Sequence, residues 1–179
     1  MVLARLILGL LNIAPMTGYD VKRHVDSTIS YFWQADKAQV YRTLSALVAD
    51  GYATVQVIHQ VDRPDRQEHH ITEAGRGALV DWLRSDLAPH ADRDPFLARL
   101  FFAGILDRDQ VRGLLHERRD QSEALLSALT AMRDPAGASD PANPTADRAG
   151  YLRSATLEHG IAHVRAELNW LDTTERDLP

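Results

Sequence analysis

The chain has 179 residues, no cysteine and a formal net charge of −5 at pH 7. The missing cysteines exclude a disulfide framework, a thiolate metal site and a cysteine nucleophile, and the charge argues against a polycation that coats nucleic acid. Apolar residues make up 45% of the sequence and charged residues 25%, which is typical of a globular protein with a real core. We therefore expect a cytoplasmic protein with one domain, or a small domain with a helical extension.

The charge is divided unevenly along the chain. Residues 1–85 contain nine Lys/Arg and nine Asp/Glu, whereas the remainder contains eleven against sixteen. A nucleic-acid surface in the first half would therefore be a local basic patch on a neutral domain. Such a patch is sufficient, because phosphate attraction is screened beyond about 10 Å.

Apolar residues near the N-terminus recur at helical spacing from Leu3 to Leu11, and Pro15 ends the pattern. The spacing predicts a first helix over about residues 2–12. The apolar run is too short to span a bilayer, and no small-residue cleavage site follows it. We interpret it as a buried helix, not as a signal peptide or a membrane anchor.

Two further helix starts follow. Thr17 is a good N-cap for a second helix, and Asp36 with Gln39 forms a capping-box pattern for a third helix over about 37–50, which Gly51 ends. The third helix turns an apolar stripe inward. Its predicted outer face is small and polar, and it consists of Ala38, Gln39, Arg42 and Ala46.

The pattern then changes to β-branched residues from Ala53 to Val61, and a turn over residues 62–66 leads to a second strand that ends near Thr72. Helical spacing resumes at Thr72 and stops at Pro89. The predicted order is three helices, a β-hairpin and a fourth helix.

The second half is predicted to be helical, with one helix through Phe96 and another from about Asp107 to Met132. Residues 134–147 are rich in Pro, Ala and Asp, and they predict a flexible loop. The last helix has apolar residues at alternating spacings of four and three, as in a coiled-coil seam. This predicted dimerisation seam consists of Leu157, Ile161, Val164, Leu168 and Leu171.

These elements predict a mainly α-helical protein with a small β-hairpin. Residues 1–89 would form a winged helix-turn-helix DNA-binding domain, in which the third helix enters the major groove, and residues 90–179 a helical dimerisation domain. Gln39 can pair with an adenine edge, Arg42 can pair with guanine or phosphate, and Ala38 lets the helix approach the bases. The predicted phosphate contacts are Lys22, Lys37, Arg63 and Arg66.

Several segments resemble the PadR-type transcriptional regulators in order and spacing. They are LILGLL, TGYDVKRHV, FWQADKAQVYRTLSALVADGY, ITEAGRGALVDWL, LARLFFAGIL and LEHGIAHVRAELNWLD. The resemblance implies a winged-helix domain, a homodimer formed by the C-terminal helices, and repression at inverted-repeat operators in double-stranded DNA. By position, it implies DNA contacts from Tyr19, Lys22, Lys37, Gln39, Tyr41 and Arg42, with Arg66 in the wing.

The chain departs from that family at two places. The family often has Ser-Pro-Gly-Ser before the recognition-helix tyrosine, where this chain has Asp36-Lys-Ala-Gln. It often has paired tyrosines in the second wing strand, where this chain has Glu68 and His69. The departures affect base preference and wing contacts, although Asp36 still supplies a capping oxygen.

Two other functional classes compete with a DNA-binding regulator. A metal-dependent enzyme would rest on His159 and His163, which are four residues apart on a helix but have no evident third ligand. No catalytic, metal or cofactor site is therefore predicted. A winged-helix module that binds only protein is the main alternative, and it would not need Arg42, Arg63 and Arg66 at the exposed positions.

Regulation by a small molecule or by pH is a further expectation. The aromatic side chains of Trp33, Phe101, Phe102 and Trp170, with Trp82, could line an effector pocket, although ordinary core packing is the favoured explanation of the same residues. The histidines of the first half, His24, His59, His69 and His70, could make DNA affinity depend on pH. Release of the DNA would follow from a change in the angle between the dimer arms and the winged domains.

Overall fold

A computed structural model describes residues 2–59, 65–87, 93–133 and 148–179. The chain divides into two compact units, Met1–Pro89 and His90–Pro179, called here the first and the second unit. The predicted loop at 134–147 and the predicted wing residue Arg63 lie outside the described residues. No helix in the described ranges is both long enough and apolar enough to cross a membrane.

The first unit combines four helices with a small sheet. Its elements in chain order are α1 (Val2–Ile13), β1 (Met16–Thr17), α2 (Gly18–His24), a π-helical turn (Val25–Ile29), α3 (Lys37–Ala49), β2 (Ala53–Ile58), β3 (Arg66–Ile71) and α4 (Glu73–Arg84). The three strands are antiparallel in the order β1-β3-β2. This confirms the prediction of a mainly helical chain with a small hairpin, and it adds β1, which lies between the first two predicted helices.

The core of the first unit forms where α1 packs against α3, α4 and β3. Helix α1 is central because it is apolar on most of its surface, and Ile7 and Leu8 are fully buried. Val40 and Leu44 of α3 complete the same cluster, as the predicted inward stripe requires. This packing fixes α3 with its other side exposed.

Helix α3 is defined at both ends by local hydrogen bonds. At its start, the Asp36 carboxylate accepts from the Gln39 amide N–H at 2.7 Å. At its end, Gly51 has a φ of 74°, and the amide N–H of Tyr52 donates to the Leu47 carbonyl at 2.9 Å. Glycine tolerates this left-handed backbone, so the helix stops there and leads directly into β2.

The start of α4 is anchored to that same turn. Thr72 caps α4 by accepting from the Gly75 amide, and its hydroxyl donates to the Gly51 carbonyl at 2.8 Å. A Cβ on residue 75 would lie 2.2 Å from the Tyr52 carbonyl oxygen, so only glycine fits. The hairpin is thereby held between α3 and α4.

The second unit contains α5 (Pro95–Phe101), a 3-10 turn (Ala103–Ile105), α6 (Arg108–Ala131) and α7 (Arg148–Arg176). Helix α7 packs along α6, and the Arg118–Glu167 and Arg133–Glu158 ion pairs show that the two helices are antiparallel. Leu115 and Leu171 are fully buried between them.

Candidate nucleic-acid interface

The outer face of α3 is exposed in the way the sequence predicts. Ala38, Gln39, Arg42 and Ala46 are all exposed, whereas Val40, three residues from the start of the helix, is fully buried. The two alanines leave little side chain between the helix backbone and any surface that it approaches. We call this surface, formed by residues 38, 39, 42 and 46, the α3 outer face.

Arg42 is the cation of this face. Within the described part of the chain, its guanidinium has no ion pair and no hydrogen-bonding partner. A guanidinium carries five N–H donors and is charged at any physiological pH. Arg42 is therefore available to pair with a phosphate or with the acceptor edge of guanine.

Tyr41 has both a packing and an exposed role. Its side chain is 41% exposed, and a Cβ on Gly18 would lie 2.9 Å from its Cε1 atom. The ring therefore lies directly against the start of α2, where a side chain on residue 18 would displace it. The Lys37 ammonium lies 5.7 Å from the centre of the same ring, within the range of a cation–π contact. Tyr19, which follows Gly18 in the sequence, is 67% exposed.

Gln39 is part of the helix cap as well as of the outer face. Its side-chain Oε1 accepts from the Asp36 backbone N–H at 3.0 Å, and the Gln39 backbone N–H donates to the Asp36 carboxylate. The amide orientation follows from this contact, because a backbone N–H needs an acceptor. The Gln39 oxygen is thus occupied within the protein.

A carboxylate links α2 to the wing. Asp20 accepts from the Thr17 hydroxyl at 2.7 Å, and it lies 3.3 Å from the Arg23 guanidinium and 3.6 Å from that of Arg66 on β3. The Thr17 hydrogen bond is the main reason why the pKa of Asp20 is lowered from its ordinary value, and the two arginines add to the effect. Asp20 therefore stays charged and holds Arg66 beside α2.

Lys22 differs from Arg42, because it is paired with Asp26 one turn further along. Both Lys22 and Arg66 can contact phosphate only if the phosphate competes with a carboxylate. The structure therefore brings the predicted contacts onto α2, α3 and β3, but it leaves Arg42 with the greatest freedom to bind.

Two residues of this region, Asp20 and Gly18, were not predicted as part of the site from the sequence. The Thr17-x-x-Asp20 capping pattern could have identified the first.

The predicted dimerisation seam packs within the single chain. Ile161, Val164 and Leu171 are 1%, 3% and 0% exposed in the single chain, where α7 packs along α6. Leu157 and Leu168 are half-buried. Within this chain the stripe packs against α6, because a four-three spacing specifies a helical partner without specifying which chain supplies it.

The aromatic residues proposed for an effector pocket have different surroundings. Trp33 packs against the core of the first unit. In the second unit, Phe101 and Phe102 are 82% and 71% exposed, and the Trp170 ring contacts Phe96 edge to face at 6.3 Å. Their joint role in binding an effector stays a prediction.

The histidine pair that an enzyme would need lies on the surface of α7. The His159 and His163 rings are stacked 6.5 Å apart, and both side chains are exposed. Over the described ranges, no group of three or more His, Asp or Glu side chains is arranged to hold a metal ion.

His69 differs from this pair, because it is buried on the central strand β3. Burial is the main reason why its pKa is lowered.

Two family models match the chain. The model described as the transcriptional regulator PadR-like family matches residues 7–81, and the model described as virulence activator alpha C-term matches residues 93–178. The first range covers most of the first unit, and the second covers nearly all of the second unit. Together the two models account for both halves of the chain.

Similar proteins agree with these models. The chain is 27% identical to the negative transcriptional regulator PadR of Bacillus subtilis (strain 168), over 96% of this chain and 94% of that protein. The crystal structure of Bacillus subtilis PadR in complex with operator DNA matches at 25% identity with a TM-score of 0.83, over 100% of both chains. The complex of the same protein with p-coumaric acid matches at 25% identity with a TM-score of 0.76, over 99% of both chains.

The family models, the full-length similarity and the winged fold lead to one assignment. This chain belongs to the PadR-like family of transcriptional regulators.

Proposed function

We propose that this protein is a dimeric, sequence-specific DNA-binding regulator that represses transcription. Helix α3 would enter the major groove, and the β2–β3 wing would contact the adjacent backbone. The observation that carries the proposal is the α3 outer face, where Arg42 is exposed without a partner in the described residues between two small alanines. The similarity to the PadR structure in complex with operator DNA supports the binding of DNA.

The contacts divide by chemistry. Arg42, Gln39 and Ala38 would face base edges, whereas Lys22, Lys37 and the wing residues Arg63 and Arg66 would hold phosphates. The hydroxyls of Tyr19 and Tyr41 would add backbone contacts. Phosphate contacts of this kind position the protein, and the few base contacts select the sequence.

A homodimer is part of the proposal. Several large apolar side chains of α5 and the turn that follows it are exposed, and Ile105 is 92% exposed. Several large exposed apolar side chains within one short segment are unusual on a monomer and usually mark an interface. These residues are Leu97, Phe101, Phe102, Ile105 and Leu106. We assign the dimer contact to this α5 patch, in place of the buried seam.

The dimer sets the form of the operator. Two copies related by a two-fold axis would place their α3 helices in successive major grooves, so the operator would be an inverted repeat with half-sites about one helical turn apart. Occupancy would block a promoter in the cytoplasm. A small-molecule signal would release the DNA by favouring a conformation with misaligned helices. The p-coumaric acid complex of the relative supports a signal of this kind.

Fluorescence anisotropy tests the proposal. The full-length protein is titrated against labelled DNA from immediately upstream of its own gene, with a random duplex as control, at two salt concentrations. We expect tighter binding to the upstream DNA and a strong loss of affinity at higher salt. The Arg42→Ala variant should reduce the preference for the upstream DNA.

Two results would contradict the proposal. Equal, weak binding to both duplexes at both salt concentrations, with no sequence enriched from a random library, would favour the protein-interaction module. A single-chain mass in light scattering at the concentration used for DNA binding would contradict the dimer.

A further inference from the structure

The α3 outer face has one side chain whose hydrogen-bonding capacity is already half used. The Gln39 Oε1 atom accepts from the Asp36 backbone N–H at 3.0 Å, and the Asp36 carboxylate accepts from the Gln39 N–H at 2.7 Å. This reciprocal pair closes the first turn of α3. The side chain is nevertheless exposed, at a position near the helix start where recognition helices contact bases.

The cap changes what Gln39 can offer to DNA. A glutamine that pairs with adenine needs both amide atoms on one base edge, with the nitrogen donating to N7 and the oxygen accepting from N6. Here the oxygen is directed back at the backbone of the same helix turn. Only the Nε2 group, with its two N–H donors, remains for a base.

From this geometry we infer that Gln39 reads DNA as a donor only, and that it selects against cytosine at the base it contacts. In the major groove, guanine offers the acceptors N7 and O6, adenine offers N7 and thymine offers O4, whereas cytosine offers only the N4 donor group. Guanine is favoured most, because it presents two acceptors. This inference rests on the proposed function, since it assumes that α3 enters the major groove.

One substitution reverses the chemistry while it keeps the cap. Glutamate occupies the same capping-box position as glutamine, so in Gln39→Glu one carboxylate oxygen can still accept from the Asp36 N–H. The rest of the carboxylate is an acceptor, and it suits the N4 group of cytosine. Gln39→Glu is therefore expected to exchange a preference for guanine for a preference for cytosine.

The chain supplies a matched control. Helix α6 begins with the same reciprocal box, in which the Asp107 N–H donates to Gln110 Oε1 at 3.1 Å and the Gln110 N–H donates to Asp107 at 2.8 Å. Gln110→Glu makes the same chemical change at a cap in the second unit. It separates the effect on helix capping from the effect on base preference.

The experiment is a selection from a library of random duplexes with the full-length wild type, Gln39→Glu and Gln110→Glu, followed by sequencing. We expect the wild type to enrich an inverted repeat in which one position of each half-site is depleted of cytosine. In Gln39→Glu, the ratio of cytosine to guanine at that position should rise by about fivefold or more, the factor that one ordinary hydrogen bond gives. Gln110→Glu should enrich the wild-type motif, and both variants should melt at similar temperatures.

The results that overturn the inference are distinct from those that overturn the function. If Gln39→Glu enriches the same base as the wild type at every position, Gln39 does not read a base as a donor. If the wild type selects adenine over guanine and thymine at the position that responds to residue 39, the cap opens and the contact is bidentate. A wild type that enriches no motif would overturn the proposed function itself, and the inference with it.

Discussion

Arg42 of the first unit and two arginines of the second unit are used in opposite ways. In the second unit, Arg118 pairs with Asp94 and Glu167, and Arg119 pairs with Asp172 and Glu175. In the first unit, Arg42 has no partner among the described residues. The same type of side chain therefore connects elements at positions 118 and 119 and is left without a described partner at position 42.

This difference separates structural from functional charge. Arg118 lies over the Phe96 ring at 5.3 Å, and its guanidinium N–H groups donate to the carboxylates around it, so its donors are used by the fold. An arginine without partners contributes little to the fold, and it must find an anion elsewhere. The net charge of this chain is negative, so the number of basic residues does not locate the candidate interface. An exposed arginine without a carboxylate partner does locate it.

The largest effect should come from the contact between α6 and α7. Leu171 is fully buried there, and Leu171→Ala leaves a cavity that should lower the free energy of unfolding by about 2–5 kcal/mol. Urea unfolding followed by circular dichroism measures this change.

Ile105 on the exposed α5 patch provides the matched contrast to Leu171. Ile105→Asp should shift the mass measured by light scattering towards one chain, with helical content preserved. If Leu171→Ala dissociated the dimer without loss of unfolding free energy, Leu171 would contact a second chain after all.

The next effect tests the two kinds of arginine directly. Arg42→Ala should weaken operator binding by about 1–3 kcal/mol and leave the melting temperature unchanged. Arg118→Ala should do the reverse, with a loss of roughly 1 kcal/mol of unfolding free energy, because two carboxylates lose their common partner. Anisotropy titrations and thermal melts of both variants measure this exchange. A drop in melting temperature for Arg42→Ala would show that its charge is structural.

A smaller effect is expected for Arg66, which already pairs with Asp20 at 3.6 Å. If Arg66 holds a phosphate, Arg66→Ala should weaken binding equally for operator and random DNA, and the salt slope should fall by about one. Affinities at four or more salt concentrations give the slope. A loss confined to the operator would assign Arg66 to base contact.

The smallest effect concerns pH. His69 is buried, its Nδ1 atom has no hydrogen-bond partner in the described structure, and its pKa lies below the ordinary value of 6.5. Below pH 6.5 the unfolded chain therefore binds a proton that the folded chain resists. Stability should be greatest above this pH and should decrease as the pH falls towards the lowered pKa.

Melting temperatures between pH 5 and 8 check this expectation. His69→Gln should show a flatter decrease than the wild type on the acid side. His59→Gln changes a histidine that is 84% exposed, and it serves as the control. Identical acid profiles for the wild type and His69→Gln would assign the pH dependence to other groups.

Much of the fold follows from local sequence signals. The Asp36–Gln39 and Asp107–Gln110 capping boxes and the Gly51 stop each specify a helix end within a few residues. Strand β1 was missed because two residues are too few to show a periodicity, and they become a strand only by pairing with β3.

The residue types of the site could be predicted from the sequence, but the ion pairs between its residues could not. The spacing of α3 correctly places Arg42 and Gln39 on the exposed side. It contains no information about Asp20 reaching Arg66, since that contact joins residues 46 positions apart through the sheet. The seam of α7 shows the same limit, because periodicity does not identify the chain that supplies the partner helix.

The contact of Tyr41 with Gly18 has a consequence for the thermodynamics of binding. Ordering a side chain at an interface costs conformational entropy at the moment of association. The Tyr41 ring is already fixed against the backbone of α2, with Lys37 beside it, before any DNA is present. Most of the rotational freedom of this ring is therefore lost during folding. Ordering the ring adds little to the entropic cost of operator binding.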